Sequence, residues 1–198
     1  MKRTEKFLPL YNGEYRYFIG TRSFITIAFM IQAVVAGWEI YSITKNPLSL
    51  GLIGLAEVIP AVSVAMYAGH RADIGNKRNI LVYAIFGMFF SSLGLLVFTS
   101  PWMRSINSDS VTVLFMYLFI FTTGLARGFY GPTATAFISQ LVDRNILSQA
   151  ATLNSTFWQV SAIIGPAAGG FLYAGFTMTG AMTSVVLFQF IGIFWLLK

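Results

Sequence analysis

The chain has 198 residues, of which 56% are hydrophobic and only 10% are charged, and its net charge is +6. Because an ordinary soluble domain has about 25% charged residues, this composition excludes a water-soluble fold and indicates that lipid surrounds the protein. The positive charges lie at the ends of apolar segments, so we expect the lipid bilayer rather than a nucleic acid as the partner.

Catalytic and metal-binding side chains are scarce. The chain has no cysteine and one histidine, His70, which excludes disulfides, thiolate chemistry and a metal site of the zinc type. Nothing resembles a Ser-His-Asp arrangement or a phosphate-binding glycine loop. We therefore expect no enzyme, no metal and no cofactor.

Six stretches are long and apolar enough to cross the hydrocarbon core, which takes about 20 residues of helix. Their continuous apolar runs favour helices over strands. Residues 1–22 mix charged and aromatic side chains, and we predict that they lie at the cytoplasmic interface as a short amphipathic segment. The sequence thus predicts an all-α membrane protein with a six-helix bundle over residues 23–198. The predicted spans cover residues 23–43, 48–69, 80–99, 111–138, 150–175 and 178–197.

The second and fifth predicted spans share a short pattern. Both read Pro-Ala, then five residues, then Tyr-Ala-Gly, beginning at Pro60 and at Pro166. If the chain consists of two three-helix repeats, these spans are equivalent and cross in opposite directions, as an inverted repeat requires. The pattern predicts two inverted three-helix repeats, and a chance match between short segments is the alternative.

Lysine and arginine are distributed unevenly between the two ends of the predicted spans. If the N-terminus is cytoplasmic, ten of them lie inside and two, Lys45 and Arg104, lie outside, while Arg127 falls within a span. Cytoplasmic loops carry the excess of positive charge, so we expect both termini in the cytoplasm. The inside set is Lys2, Arg3, Lys6, Arg16, Arg22, Arg71, Lys77, Arg78, Arg144 and Lys198.

The loop between the second and third spans reads Gly-His-Arg-Ala-Asp-Ile-Gly-Asn-Lys-Arg, from Gly69 to Arg78. It resembles the signature loop of the major facilitator superfamily, Gly-x-x-x-Asp-x-x-Gly-basic-basic, which joins the same two spans. Gly69, Asp73, Lys77 and Arg78 match. Asn76 stands where glycine is usual, and we expect it to adopt the left-handed backbone of the turn. The resemblance implies that Asp73 helps to latch two halves of a transporter together, whereas a plain basic loop is the alternative.

The fifth span contains Gly165-Pro166-Ala-Ala-Gly169-Gly170. This resembles the Gly-Pro-x-x-Gly-Gly motif of the exporters in the same superfamily. The resemblance implies a tightly packed helix surface that limits leak and favours export. Simple packing of small residues is the other reading, and the two are compatible.

Two ionisable residues are predicted inside the membrane. Arg127, followed by Gly131, resembles the fourth-span motif of the superfamily, and Glu57 lies in the second span. Counted from the outer ends of their spans, Glu57 is ~14 Å and Arg127 ~24 Å deep. A direct ion pair is therefore not implied, and a water or a third group could link them. Glu57 is the candidate proton carrier, tuned by Arg127, because arginine stays charged; a structural glutamate and an arginine that extends to the interface are the alternatives.

Three further polar residues lie within or near the spans. Gln32 and Gln159 lie near mid-depth in the first and fifth spans. In the superfamily these spans line a central cavity, so the resemblance implies that both glutamines are candidate substrate contacts. Glu39, beside Trp38 and Tyr41, is expected to be solvated at the outer interface.

Members of the superfamily have twelve spans in two six-helix halves. We therefore expect this chain to be the N-terminal half, completed by a C-terminal half from the same longer chain or by a second copy. The resemblance implies a secondary transporter, and we expect proton-coupled export of a small amphipathic compound across a bacterial cytoplasmic membrane. A non-transporting scaffold or receptor and a lipid-moving protein with the same fold are the alternatives.

Overall fold

The computed structural model describes residues 8–197. Within this range all the regular elements are helices, without a strand, and the prediction of an all-α membrane protein is confirmed. All the helices except the short α4 are long and apolar enough to cross a membrane. In chain order the elements are α1 (Gly13–Thr44), α2 (Leu48–Ile74), α3 (Lys77–Phe98), α4 (Pro101–Ile106), α5 (Asp109–Leu141), a 3-10 turn (Arg144–Ile146) and α6 (Leu147–Leu197).

The last helix, α6, is not straight. At Thr177 its backbone has φ 60° and ψ −174°, which is not helical. Before this point, the carbonyl of Ala150 accepts a hydrogen bond from the hydroxyl of Tyr15, near the start of α1. After it, the carbonyl of Gly192 accepts one from the hydroxyl of Thr21, also near the start of α1. The chain therefore reverses direction at Thr177, and both segments of α6 lie along α1.

The first helix begins ten residues before the predicted span. Asn12 caps it, because its side-chain oxygen accepts hydrogen bonds from the backbone N–H groups of Glu14 and Tyr15. Tyr15 and Phe18 are fully buried in the core, the latter with its ring 5.4 Å from that of Phe137 on α5. Residues 13–22 of the predicted interfacial segment are thus continuous with α1 and pack against the bundle. Residues 1–7 of that segment, and the C-terminal Lys198, lie outside the described residues.

The bundle is assembled from a few helix pairs. α1 lies along both segments of α6, α2 packs against α5, and α3 packs between α5 and α6. Lipid gives membrane helices no hydrophobic reason to associate, so close packing and hydrogen bonds decide which surfaces meet. Much of α2 faces away from the other described helices, and its large apolar side chains are exposed there.

The turn between α2 and α3 differs from the prediction. Asn76 has φ −72° and ψ 106°, which is extended backbone, and its side chain accepts a hydrogen bond from the backbone N–H of Asn79. Gly75 closes α2 by donating its own N–H to the carbonyl of Arg71. The expectation of a left-handed Asn76 is wrong, because asparagine here serves as the N-cap of α3, a position that it favours strongly.

The reversal at Thr177 generates a prediction about stability. A residue with a side chain in this backbone conformation is strained by about 1–3 kcal/mol. Thr177→Gly should remove the strain at a smaller entropic cost of about 0.5–1 kcal/mol, and so raise the apparent melting temperature in detergent. Thr179→Gly, two residues further along in helical backbone, is the matched control and should lower that temperature. A similar loss in both variants would contradict a strained reversal.

Candidate functional site

The two ionisable residues predicted inside the membrane lie together. Arg127 on α5 donates a hydrogen bond through Nη1 to Oε1 of Glu57 on α2, forming an ion pair. The Arg127 guanidinium also lies over the ring of Phe29 on α1, 3.7 Å from the ring centroid, as a cation–π contact. A charged side chain at the centre of a membrane helix costs at least ~2.5 kcal/mol, so each of these contacts stabilises the arginine there. One guanidinium joins α1, α2 and α5.

The direct ion pair was not expected from the separate depths of the two residues. The hydroxyl of Tyr117, well inside α5, donates a hydrogen bond of 2.9 Å to the carbonyl of Ser49, at the very start of α2. Tyr117 therefore lies at the level where α2 begins, although it is eight residues after the start of α5 at Asp109. The first two turns of α5 thus extend beyond the start of α2. Distances counted from the ends of the two spans therefore overstated the separation between Glu57 and Arg127.

Two glycines on α5 bring these helices into contact. A Cβ atom at Gly124 would lie 2.3 Å from the carbonyl oxygen of Glu57, and one at Gly128 would lie 2.7 Å from that of Ala61. Neither position has room for a side chain, so α5 and α2 meet backbone to backbone, as in the small-xxx-small motif of membrane helices. Sequence reasoning missed both glycines, although their spacing of four residues was readable.

The glycines of the fifth-span motif divide into two groups. A Cβ atom at Gly165 would lie 2.4 Å from a side chain of α1, and one at Gly169 would lie 3.2 Å from the Cα atom of Ile31, also on α1. These two glycines therefore hold α6 against α1, with Pro166 half-buried beside them. A Cβ atom at Gly170 would meet nothing within 4 Å in the described part of the chain, so Gly170 contributes nothing to this packing.

The residues of the signature loop lie at one end of the bundle. Asp73 is exposed in the last turn of α2, one turn after Gly69, and no ion pair joins it to any residue in the range 8–197. Lys77 is the first residue of α3, and Arg78 donates a hydrogen bond of 3.2 Å to the carbonyl of Leu196 at the end of α6. Arg78 thus caps a helix end, while the latch role of Asp73 stays a prediction.

The two glutamines have different surroundings. Gln32 is buried, donates a hydrogen bond of 3.2 Å to the hydroxyl of Thr123 and accepts one from Ser92, which also accepts a hydrogen bond from Gln189. This network joins α1, α3, α5 and α6. Both the nitrogen and the oxygen of the Gln32 amide are hydrogen-bonded within the bundle. Gln159 is exposed and lines an open cleft of about 1030 Å³ between α1, α5 and α6. A substrate contact at either residue stays a prediction.

The expectation that Glu39 is solvated is wrong. Glu39 is 3% exposed, its Oε1 accepts a hydrogen bond of 2.6 Å from Nη1 of Arg104, and its Oε2 accepts one of 2.8 Å from the hydroxyl of Tyr173. Arg104 lies on α4 and is also 3.7 Å from Oδ1 of Asp109. These bonds tie α4 and α6 to the end of α1. Arg104 could have indicated this pairing from the sequence, because it is one of only two basic residues at the predicted outer ends of the spans.

Comparison with known proteins identifies the family. A family model of the major facilitator superfamily, described as "Transmembrane secretion effector", matches residues 4–198. The chain belongs to the major facilitator superfamily. Together with the relatives described below, this match confirms the resemblance of the chain to the exporter branch of the superfamily. No solved structure matches this superfamily member.

Three relatives are known transport proteins. This superfamily member is 23% identical over 159 residues to the staphyloferrin A transporter of Staphylococcus aureus, covering 80% of the chain and 38% of the relative. It is 29% identical over 177 residues to multidrug resistance protein 2 of Bacillus subtilis, covering 82% and 41%. It is 22% identical over 146 residues to the Na⁺, Li⁺, K⁺/H⁺ antiporter of Planococcus maritimus, covering 72% and 33%. The chain thus spans less than half the length of each of these relatives.

The close approach of α5 to α2 can be tested by adding a side chain to α5 at the point of contact. Gly124→Ala should destabilise the bundle, because its methyl group would lie 2.3 Å from the Glu57 carbonyl oxygen and would push α5 away. Overpacking of this kind costs about 1–3 kcal/mol and should lower the melting temperature in detergent. Gly131→Ala on the same helix is the control, since nothing lies within 4 Å of that position. Equal stability of the two variants would rule out the backbone contact.

Proposed function

We propose that the protein is the N-terminal half of a secondary transporter that exports a small amphipathic compound in exchange for protons. The observation that carries the proposal is the Glu57–Arg127 ion pair, a titratable carboxylate beside a fixed positive charge, facing a cleft within the bundle. The relatives support it, because one is named as a multidrug resistance protein and another as a proton antiporter.

The ion pair offers a way for a proton to change helix contacts. Arginine stays charged at any relevant pH, so only Glu57 can change its charge during a transport cycle. When Glu57 takes up a proton, its attraction to Arg127 weakens, while the contact between Arg127 and the Phe29 ring remains. Protonation thus alters the balance of contacts that the guanidinium makes with α2 and α1. A ligand shifts a conformational equilibrium only through such a difference between the two states.

We also propose that α6 supplies two membrane spans, which gives six in total as two inverted repeats. The reversal at Thr177 supports the first part. In such a repeat, α1 is equivalent to α5 and they run antiparallel. In agreement, Asn12 at the start of α1 donates a hydrogen bond to the carbonyl of Leu141 at the end of α5, whereas Gln32 further along α1 bonds to Thr123 further back on α5.

The orientation that we propose has both termini in the cytoplasm of a bacterium, with the bundle in the inner membrane. The bias of lysine and arginine toward one side supports it. The second six-helix half would come from the same longer chain or from a second copy, as the share of each relative's length that the chain spans suggests.

Cysteine labelling tests this orientation, because the chain contains no native cysteine. Ser110 and Asn79 are exposed, in the first turns of α5 and α3, and should lie on opposite sides of the membrane. An impermeant maleimide applied to intact cells should label Ser110→Cys but not Asn79→Cys, and it should label both after the cells are opened. Labelling of Asn79→Cys alone in intact cells would reverse the orientation.

The coupling role of Glu57 can be tested in liposomes that contain the full-length transporter. Glu57→Gln retains the shape of the side chain but cannot titrate, so proton-driven efflux of cationic and anionic fluorescent dyes should fall to background. Glu14→Gln, at an exposed glutamate in the first turn of α1, is the matched control and should keep wild-type flux.

Two outcomes would count against the proposal. Wild-type flux in Glu57→Gln would make Glu57 a structural residue and assign the proton to another group. The absence of flux in the wild-type protein, with any dye and with correct insertion, would favour the scaffold alternative.

A further inference from the structure

A second arginine, Arg22, lies within the bundle, and no carboxylate among residues 8–197 forms an ion pair with it. It is on α1 and lines two adjoining clefts, one of about 340 Å³ that also contains Glu57 and Arg127, and the other of about 1030 Å³ that contains Gln159. Its Nε and Nη1 atoms are buried, and no acceptor among residues 8–197 bonds to either of them. The sequence suggested an ordinary cytoplasmic charge, but the length of α1 brings Arg22 into the interior.

The charges that the described residues contribute to the lining of the smaller cleft do not balance. Two guanidinium groups, those of Arg22 and Arg127, face one carboxylate, that of Glu57, which is already engaged by Arg127. Tyr130 on α5 lines the same cleft, and its buried hydroxyl has no hydrogen-bond partner in the described chain. An unpaired buried charge is costly, so an anion that reaches Arg22 and Tyr130 would be bound strongly.

The remaining lining of the cleft is apolar. Trp158 on α6 belongs to both clefts and is 47% exposed, so about half of its surface is available to a ligand. Phe29, Met30 and Val62 line the smaller cleft beside it. Binding sites that combine an apolar wall with a few convergent polar groups fix the orientation of a small organic ligand.

Building on the proposed transport function, we propose that Arg22 binds the anionic group of the cargo. The cargo is an amphipathic organic anion, whose carboxylate accepts hydrogen bonds from Arg22 and the Tyr130 hydroxyl and whose apolar body lies against Trp158. The two arginines then have separate roles: Arg127 holds the titratable Glu57, and Arg22 holds the cargo. The same chemistry could come from a carboxylate side chain of the other transporter half, and the experiment distinguishes the two sources.

The test is dye binding to the detergent-purified full-length transporter, followed by fluorescence anisotropy. Fluorescein, an amphipathic carboxylate, and rhodamine 123, its cationic relative with the same ring system, form a matched pair of probes. Arg22→Gln should weaken fluorescein binding by about tenfold or more, the effect of losing a hydrogen bond to a charged group. It should not weaken rhodamine 123 binding, because the loss of a positive charge from the cleft does not disfavour a cation. Arg22→Lys should restore part of the affinity. Arg16→Gln, at an exposed arginine on the same helix, should bind both dyes like the wild type.

Three results would overturn the inference: no fluorescein binding by the wild-type protein, unchanged fluorescein binding by Arg22→Gln, or loss of both dyes in Arg22→Gln and in Arg22→Lys. The last is the result expected if Arg22 pairs with a carboxylate of the other half and holds the fold together. Because the assay measures binding without flux, it separates this inference from the coupling role of Glu57. Fluorescein that binds through Arg22 but is never transported would refute the proposed function alone.

Discussion

The backbone contact between α5 and α2 is the constraint on which the candidate site depends. An arginine and a glutamate on neighbouring membrane helices can pair only if the helix axes lie close together and at a matching level. Gly124 and Gly128 meet the first condition by leaving no side chain between the helices. The hydrogen bond from Tyr117 to the carbonyl of Ser49, at the start of α2, shows that the axial offset of the two helices meets the second condition, the matching level. Without this contact, Glu57 would carry a charge in the membrane with no partner, and Arg127 would keep only the Phe29 ring, where a charge at the centre of a membrane helix costs ~2.5 kcal/mol or more.

The first helix organises the rest of the bundle, because its polar groups bind partners at three successive levels. Near its start, Tyr15 donates a hydrogen bond to α6; in the middle, Gln32 joins a network with α3, α5 and α6; near its end, Glu39 binds α4 and α6. Between the first two levels, the ring of Phe29 receives the guanidinium of Arg127. Hydrogen bonds help to determine which membrane helices pack together, since the hydrophobic effect does not favour another helix over lipid. We infer that α1 carries much of the specificity of the fold.

Some of this arrangement could be predicted from the sequence and some could not. The spans follow from the length of the apolar runs, and Glu57 and Arg127 were recognisable because charges inside such runs are rare. Their direct pairing was not predictable, because the axial offset of one helix against another is decided by packing and does not follow from distances to the helix ends. The burial of Glu39 was missed for a related reason: its partner Arg104 lies far along the chain, on a short helix with too few residues for a clear pattern. From the sequence, Arg22 resembled a charge in a cytoplasmic loop, because the apolar run begins at residue 23. In the structure, however, α1 begins at Gly13, well before Arg22.

The reversal at Thr177 bears on how the protein enters the membrane during synthesis. The chain carries no lysine, arginine, aspartate or glutamate between Arg144 and Lys198, and the reversal within α6 leaves no loop that could hold one. Orientation in a bilayer is set by the basic residues that flank each span, so the two segments of α6 have no orienting signal where they meet. We expect them to leave the translocation machinery as one helical hairpin. Its direction would be dictated by Arg144 and by the helices already inserted.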